Sequence, residues 1–162
     1  MYIGEEAMRR NDREIKDPSL IEGFIANEKI IRIAFCDGGD IYIVPVNYGY
    51  TSTDGRYTFY FHGAKAGRKY ELAKSSPDVG FEIDGKFELM QADTACDFSA
   101  HFMSVIGTGR LRLLTEKADK TSALTALMKQ TTGRREWQFD DKALEATAVF
   151  MLEAEKLSCK AK

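Results

Sequence analysis

Gly63, Gly67, Arg68 and Lys69 stand together in the segment YTFYFHGAKAGRKYELAKSSPD, residues 57–78, at a spacing suited to gripping a phosphate. The two glycines free the chain for a tight approach, and Arg68 and Lys69 enter just as the helical pattern Tyr70-Glu71-Leu72-Ala73 begins. Unpaired amides at a helix start and two fixed positive charges would then converge on one anion. An ordinary strand-to-helix turn with solvated basic side chains uses the same residues, and a pair of glycines does not separate the two readings. His62 stands at the mouth of this turn, where an imidazole can donate, accept or shuttle a proton near neutral pH. Capping the strand end or bonding the loop explains it as well.

The elements that must hold this turn follow from periodicity. Tyr57, Phe59 and Phe61 alternate with Thr58, Tyr60 and His62, which is the pattern of a strand with two distinct faces. Asp17-Pro18 reads as an N-cap with proline in the first helical turn, and Leu20, Ile21, Phe24 and Ile25 mark the apolar face of a helix covering one end of a sheet or barrel. Ile30 to Phe35 and Ile41 to Tyr50, joined through Asp37-Gly38-Gly39-Asp40, predict a hairpin. A turn at Thr51 to Gly55 would then lay Tyr57 to His62 antiparallel to the second strand, giving three strands in meander order.

Ser75-Ser76-Pro77 should stop the helix after Gly67, and Val79 to Ile83 resumes a strand with which Phe87 to Gln91 pairs. His101 to Thr115 is one long strand in which Gly107 and Gly109 signal a bend or bulge. A helix over Glu116 to Thr131 and a closing strand over Ala148 to Leu157 complete the chain. The expected class is mainly β with helices, an antiparallel barrel in a single domain over residues 1–162. Gly107-Thr108-Gly109 lacks the third glycine and the following helix of a dinucleotide fingerprint, which argues against a Rossmann sheet.

Composition narrows the function classes. A net charge of −2 and the absence of long basic runs argue against nucleic acid, so any anion must be met locally. The polar, charged start and the lack of a long apolar run argue against a signal sequence or membrane span, and place the chain in the cytoplasm by default. Cys36, Cys96 and Cys159 are odd in number and widely spaced, and only His62 and His101 accompany them, so neither a disulfide framework nor a metal site is expected.

Four stretches occur in one order: Met8 to Ile15 (MRRNDREI), Val44 to Tyr50 (VPVNYGY), Phe61-His62-Gly63-Ala64 with Gly67-Arg68-Lys69, and Ser104 to Gly109 (SVIGTG). Together they resemble the nitroimidazole-resistance (Nim-type) branch of the pyridoxamine-phosphate-oxidase-like flavoproteins, over nearly the whole chain from Met8. Residues 1–7 fall outside the resemblance and read as an extension.

The resemblance implies a Greek-key split β-barrel and a homodimer holding two FMN molecules in clefts shared between subunits. It implies that Arg68 and Lys69 meet the FMN phosphate alongside the turn His62, Gly63, Ala64 to Gly67. It further implies that the main chain of Val44, Pro45, Val46 and Asn47 lines the flavin ring, and that Ser104 and Val105 face the cofactor. From the residues alone, Pro45 equally marks an edge or bulge and Ser104 is an ordinary strand position. Cys96 reads as a small buried thiol. Ser158-Cys159-Lys160 departs from the glycine-lysine pair that commonly ends the family's last strand. The implied activity is FMN-dependent reduction, by NADH or NADPH, of a small electron-poor acceptor such as a nitroaromatic compound, with His62 as candidate proton carrier. A non-catalytic flavin- or haem-binding protein would use the same cleft.

Overall fold

Aromatic and β-branched residues at every second position build seven strands in the computed structural model, which describes residues 10–162. In chain order the elements are α1 (Pro18–Asn27), β1 (Ile30–Asp37), β2 (Asp40–Asn47), β3 (Gly49–Thr53), β4 (Arg56–Ala64), α2 (Arg68–Ser75), β5 (Asp78–Met90), β6 (Ser99–Leu114), α3 (Lys117–Thr132), α4 (Asp141–Ala146) and β7 (Thr147–Ala161). One sheet runs β2-β1-β5-β6-β7-β4-β3, with every neighbouring pair antiparallel. It curls until β2, at one edge, comes against β4 near the other. This is the antiparallel split barrel that the patterning and the resemblance imply. Its inside holds Phe24, Ile31, Ile33, Phe35, Phe59, Phe61, Ile83, Val105, Phe150 and Leu152, all fully buried. Each such side chain contributes roughly 1.5–3 kcal/mol by leaving water.

The meander expected for the first three strands is not formed. The run Ile41 to Tyr50 divides at Tyr48: its first part pairs with β1 at one edge, and its second part becomes β3, paired with β4 at the other. Two anchors cause the division. Tyr48 is fully buried, donates its hydroxyl to the Ile25 carbonyl at 2.6 Å and meets Phe59 edge to face. Gly49 passes so close beneath α3 that a β-carbon there would overlap the backbone of Ala126 and Leu127. The side-chain amide of Gln130 on α3 then donates to the carbonyls of Ile25 and Glu28 at 2.8 and 2.7 Å, tying the end of α1 to α3.

Phe87 to Gln91 does not fold back on Val79 to Ile83. Residues 87–90 prolong the same strand through a register shift between Gly85 and Glu88 and pair with the start of β6. The expected irregularity near Gly107 and Gly109 is a register shift between β6 and β7 at Thr108/Gly109, where β-carbons would strike the Lys156 and Glu153 carbonyls. Asp17 caps α1 by accepting from the Ser19 amide at 2.8 Å. On that helix Phe24 and Ile25 are buried, but Leu20 stays exposed. Cys36 and Cys96 are exposed and only Cys159 is buried, which corrects the expectation for Cys96.

Among the described residues, no helix is long and apolar enough to cross a membrane, and no group of three or more metal-ligating side chains occurs. Residues 1–7, with Met8 and Arg9 of the first quoted stretch, lie outside the described residues.

Candidate functional site

β4 ends at Ala64, and α2 begins four residues later. Gly67, the residue before the helix, holds φ +92°, a conformation that L side chains rarely adopt, which explains glycine at that place. No side chain caps α2; the Tyr70 and Glu71 amides bond the Gly67 carbonyl at 3.0 and 3.2 Å, which leaves the Arg68 and Lys69 amides as the open donors of the helix start. Arg68 and Lys69 leave this helix start toward the two sides of the barrel's split. The Arg68 guanidinium lies over the Tyr42 ring of β2 at 4.6 Å and donates to Asp37 Oδ2 at 2.7 Å. Lys69 Nζ sits 5.7 Å from the Phe61 ring and 5.4 Å from the Phe150 ring, on β4 and β7.

The two cations are therefore not equivalent. Arg68 is already paired with a carboxylate, while Lys69 makes no salt bridge among the described residues. Burial pushes the Lys69 ammonium below its ordinary pKa. Gly63 is the floor of this arrangement: a β-carbon there would come within 3.0 Å of Lys69 Nζ. His62 alternates outward between buried Phe61 and Gly63 and pairs with Val149 across the ladder. Partial desolvation first, and then the charge of Lys69, lowers its pKa below the ordinary imidazole value.

The edge strand β2 brings Val44 and Val46 inward and leaves Pro45 and Asn47 exposed. Pro45 lies opposite Arg32 on the outermost strand, where a missing amide is tolerated. Asn47 donates its side-chain amide to the Lys29 carbonyl at 3.2 Å. Through Tyr42, which shares a face with Val44 and Val46, this strand reaches the Arg68 side of the site.

Ser104 and Val105 stand elsewhere. The ladder aligns His62 with Val149 and Leu114, whereas Ser104 is aligned with Asp84 and Lys160. Ten residues of β6 separate Leu114 from Ser104, about 33 Å along a strand. Val105 is fully buried in the barrel core. His62 to Lys69 gather at the end of β4, while Ser104 and Val105 sit about ten residues along β6 from the level of His62.

Sequence reasoning missed Asp37 and Tyr42 as neighbours of Arg68. Asp37 reads only as a turn residue of the hairpin, and nothing in its spacing announces a partner 31 residues away. Trp137 bonds locally, donating to the Arg134 carbonyl at 3.0 Å, and His101 Nδ1 lies 2.8 Å from the Lys162 carbonyl.

With this geometry in place, the sequence pattern of the pyridoxamine 5'-phosphate oxidase family matches residues 17–161. The chain belongs to that family. No curated protein matches it in sequence. Among solved structures it is similar to a candidate 5-nitroimidazole antibiotic resistance protein of Bacteroides thetaiotaomicron, at 23% identity over 91% of this chain and 86% of that one, with a TM-score of 0.79. A flavocytochrome of Azotobacter vinelandii is similar at 23% identity over 96% of this chain and 72% of that one, with a TM-score of 0.79. The FAD- and heme-binding protein of Mycobacterium smegmatis is 14% identical over 93% of this chain and 73% of that one, with a TM-score of 0.81. At these identities the likeness is one of fold.

Proposed function

We propose that this member of the pyridoxamine 5'-phosphate oxidase family is an FMN-dependent reductase that passes electrons from NADH or NADPH to a small electron-poor acceptor, a nitroaromatic compound being the preferred class. One observation carries the reading: Lys69, half-buried over Gly63 and without a carboxylate partner among the described residues, lies beside the uncapped start of α2. That donor set suits a terminal phosphate, which supplies acceptors both for amides and for an ammonium. Bound flavin would supply the electron-carrying chemistry. The chain's residues then bind and position: Lys69 and the α2 amides grip the phosphate, Arg68 reinforces from the β2 side, and the Val44 to Asn47 main chain borders the ring. His62, its pKa lowered, can accept a proton at its free nitrogen.

A homodimer as the working unit is part of this reading: Ser104 lies ten residues along β6 from the level of His62, and a second copy would bring its own Ser104 to the first copy's turn. The outward face of the sheet fits that role. Ile43 and Ile106 are 58% and 53% exposed there; the ladder row of Ile43 runs through Ala34 and Gly80 to Thr108, and Ile106 lies on the adjoining outward row, opposite Glu82. Exposed apolar residues beside the Arg32, Glu82 and Asp84 ion pairs of that face favour a covering partner.

The test is spectroscopic. The purified protein should show flavin absorption that bleaches on anaerobic addition of NADH or NADPH. Stable colour would favour a non-catalytic flavin carrier. A Soret band would favour the haem alternative, which the similarity to the FAD- and heme-binding protein of Mycobacterium smegmatis makes reasonable.

A further inference from the structure

Lys120 is the one charged residue buried among the described residues, only 4% exposed. It lies near the N-terminus of α3, where the helix dipole disfavours a cation. Its Nζ donates to the Leu144 carbonyl, one acceptor for a group with three donors. Lys120 lines a cleft of about 330 Å³ together with Lys65, Lys117, Leu144, Asp141 and Glu145. Asp141 is occupied by Lys117 at 2.7 Å. Glu145 alone opposes the charges that remain. Burial and the neighbouring Lys65 both push the Lys120 ammonium toward its neutral form, and Glu145 pulls the other way. Two cations facing one cleft, one of them buried against a helix dipole, are unfavourable by themselves and become favourable around an anion.

The position of this cleft gives the anion a context. Lys65 follows directly on Ala64, and Ala64 pairs with Thr147, just beyond the Leu144 and Glu145 of α4. The five-residue turn from Gly63 to Gly67 thus carries Lys65 toward α3 and α4, and leads at its other end to Lys69 above Gly63.

We propose that the cleft between this turn, α3 and α4 is a second phosphate subsite, in which Lys65 and Lys120 take a phosphate other than the one held at Gly67 and Lys69. The placement of the first phosphate rests on the flavin reading above; the cleft's own preference for phosphate does not. The further phosphate has two possible sources, the pyrophosphate of FAD or the 2'-phosphate of the nicotinamide donor.

Calorimetric titration of FMN, FAD and 2'-phospho-ADP-ribose into the native protein and into Lys65→Ala separates them. Lys65 is exposed, so its loss leaves the fold intact; Lys120→Met, checked by circular dichroism, is the companion variant. The expected result is that Lys65→Ala weakens FAD by about tenfold or more while FMN is unchanged. The same loss for 2'-phospho-ADP-ribose alone also supports the subsite and assigns it to the nicotinamide donor. Unchanged binding of both probes overturns the proposal, as does equal weakening of FMN and FAD. A native protein that binds neither flavin, yet binds 2'-phospho-ADP-ribose through Lys65, sinks the flavin reading and keeps the subsite.

Discussion

Lys69 and Arg68 differ in what a phosphate would ask of them. An incoming phosphate finds Lys69 free of carboxylates, but must compete with Asp37 for Arg68. Lys69→Ala should therefore weaken FMN by about 10- to 100-fold, the loss expected for one charge-assisted contact, and Arg68→Ala by less. Asp37→Asn, which releases Arg68, should tighten FMN. Fluorescence quenching of the flavin measures all three, and a larger loss from Arg68→Ala would reverse the assignment.

His62 permits a cleaner electrostatic test because only His101 shares its NMR window. Its titration midpoint should lie below the ordinary 6.5, and Lys69→Met should move it upward without fully restoring it, since partial desolvation is the larger cause. The sign for stability follows. The folded protein binds fewer protons at His62 than the unfolded chain, so this residue makes stability fall as pH drops through 6.5 and toward the lowered midpoint.

At the scale of elements, the fold depends on close approach between a helix and a strand. Gly49 lets β3 run directly beneath α3, and an alanine there must displace backbone at Ala126 and Leu127. Gly49→Ala should lower stability by about 1–3 kcal/mol or more in urea unfolding, while an alanine at Gly23 on α1, which would meet nothing within 4 Å, should be neutral or stabilising. A neutral Gly49→Ala would mean that α3 can lift from the sheet. The hairpin β1 to β2 was readable from its turn residues, as were the start of α1 from its cap, the end of α2 from Pro77 and the span of α3 from periodicity. The division at Tyr48 was not readable. Both halves of residues 41–50 have strand character, and their separation comes from Tyr48 reaching the Ile25 carbonyl, a contact between segments with no local signature.

At the scale of the whole molecule, the proposed dimer makes a prediction that a monomer cannot meet. Ile43→Asp, placing charge on the outward sheet face, should shift the protein from dimer to monomer in sedimentation and lose flavin with it. Retention of flavin by a monomeric variant would show that one chain suffices, and that Ser104 takes no part in the site.

The sequence alone determined what each segment can be. Alternating aromatics make strands, Asp17-Pro18 starts a helix, and Gly67 before Arg68 and Lys69 makes a turn able to receive an anion, because these depend on backbone geometry within a few residues. Tertiary structure decided which of those possibilities meet. Curling of the sheet put β2 against β4, gave Arg68 a carboxylate and left Lys69 without one among the described residues, and register set Ser104 ten residues along β6 from the level of His62. Those outcomes rest on strand order and register, which are set by packing between segments tens of residues apart and leave no trace in the spacing of any one of them.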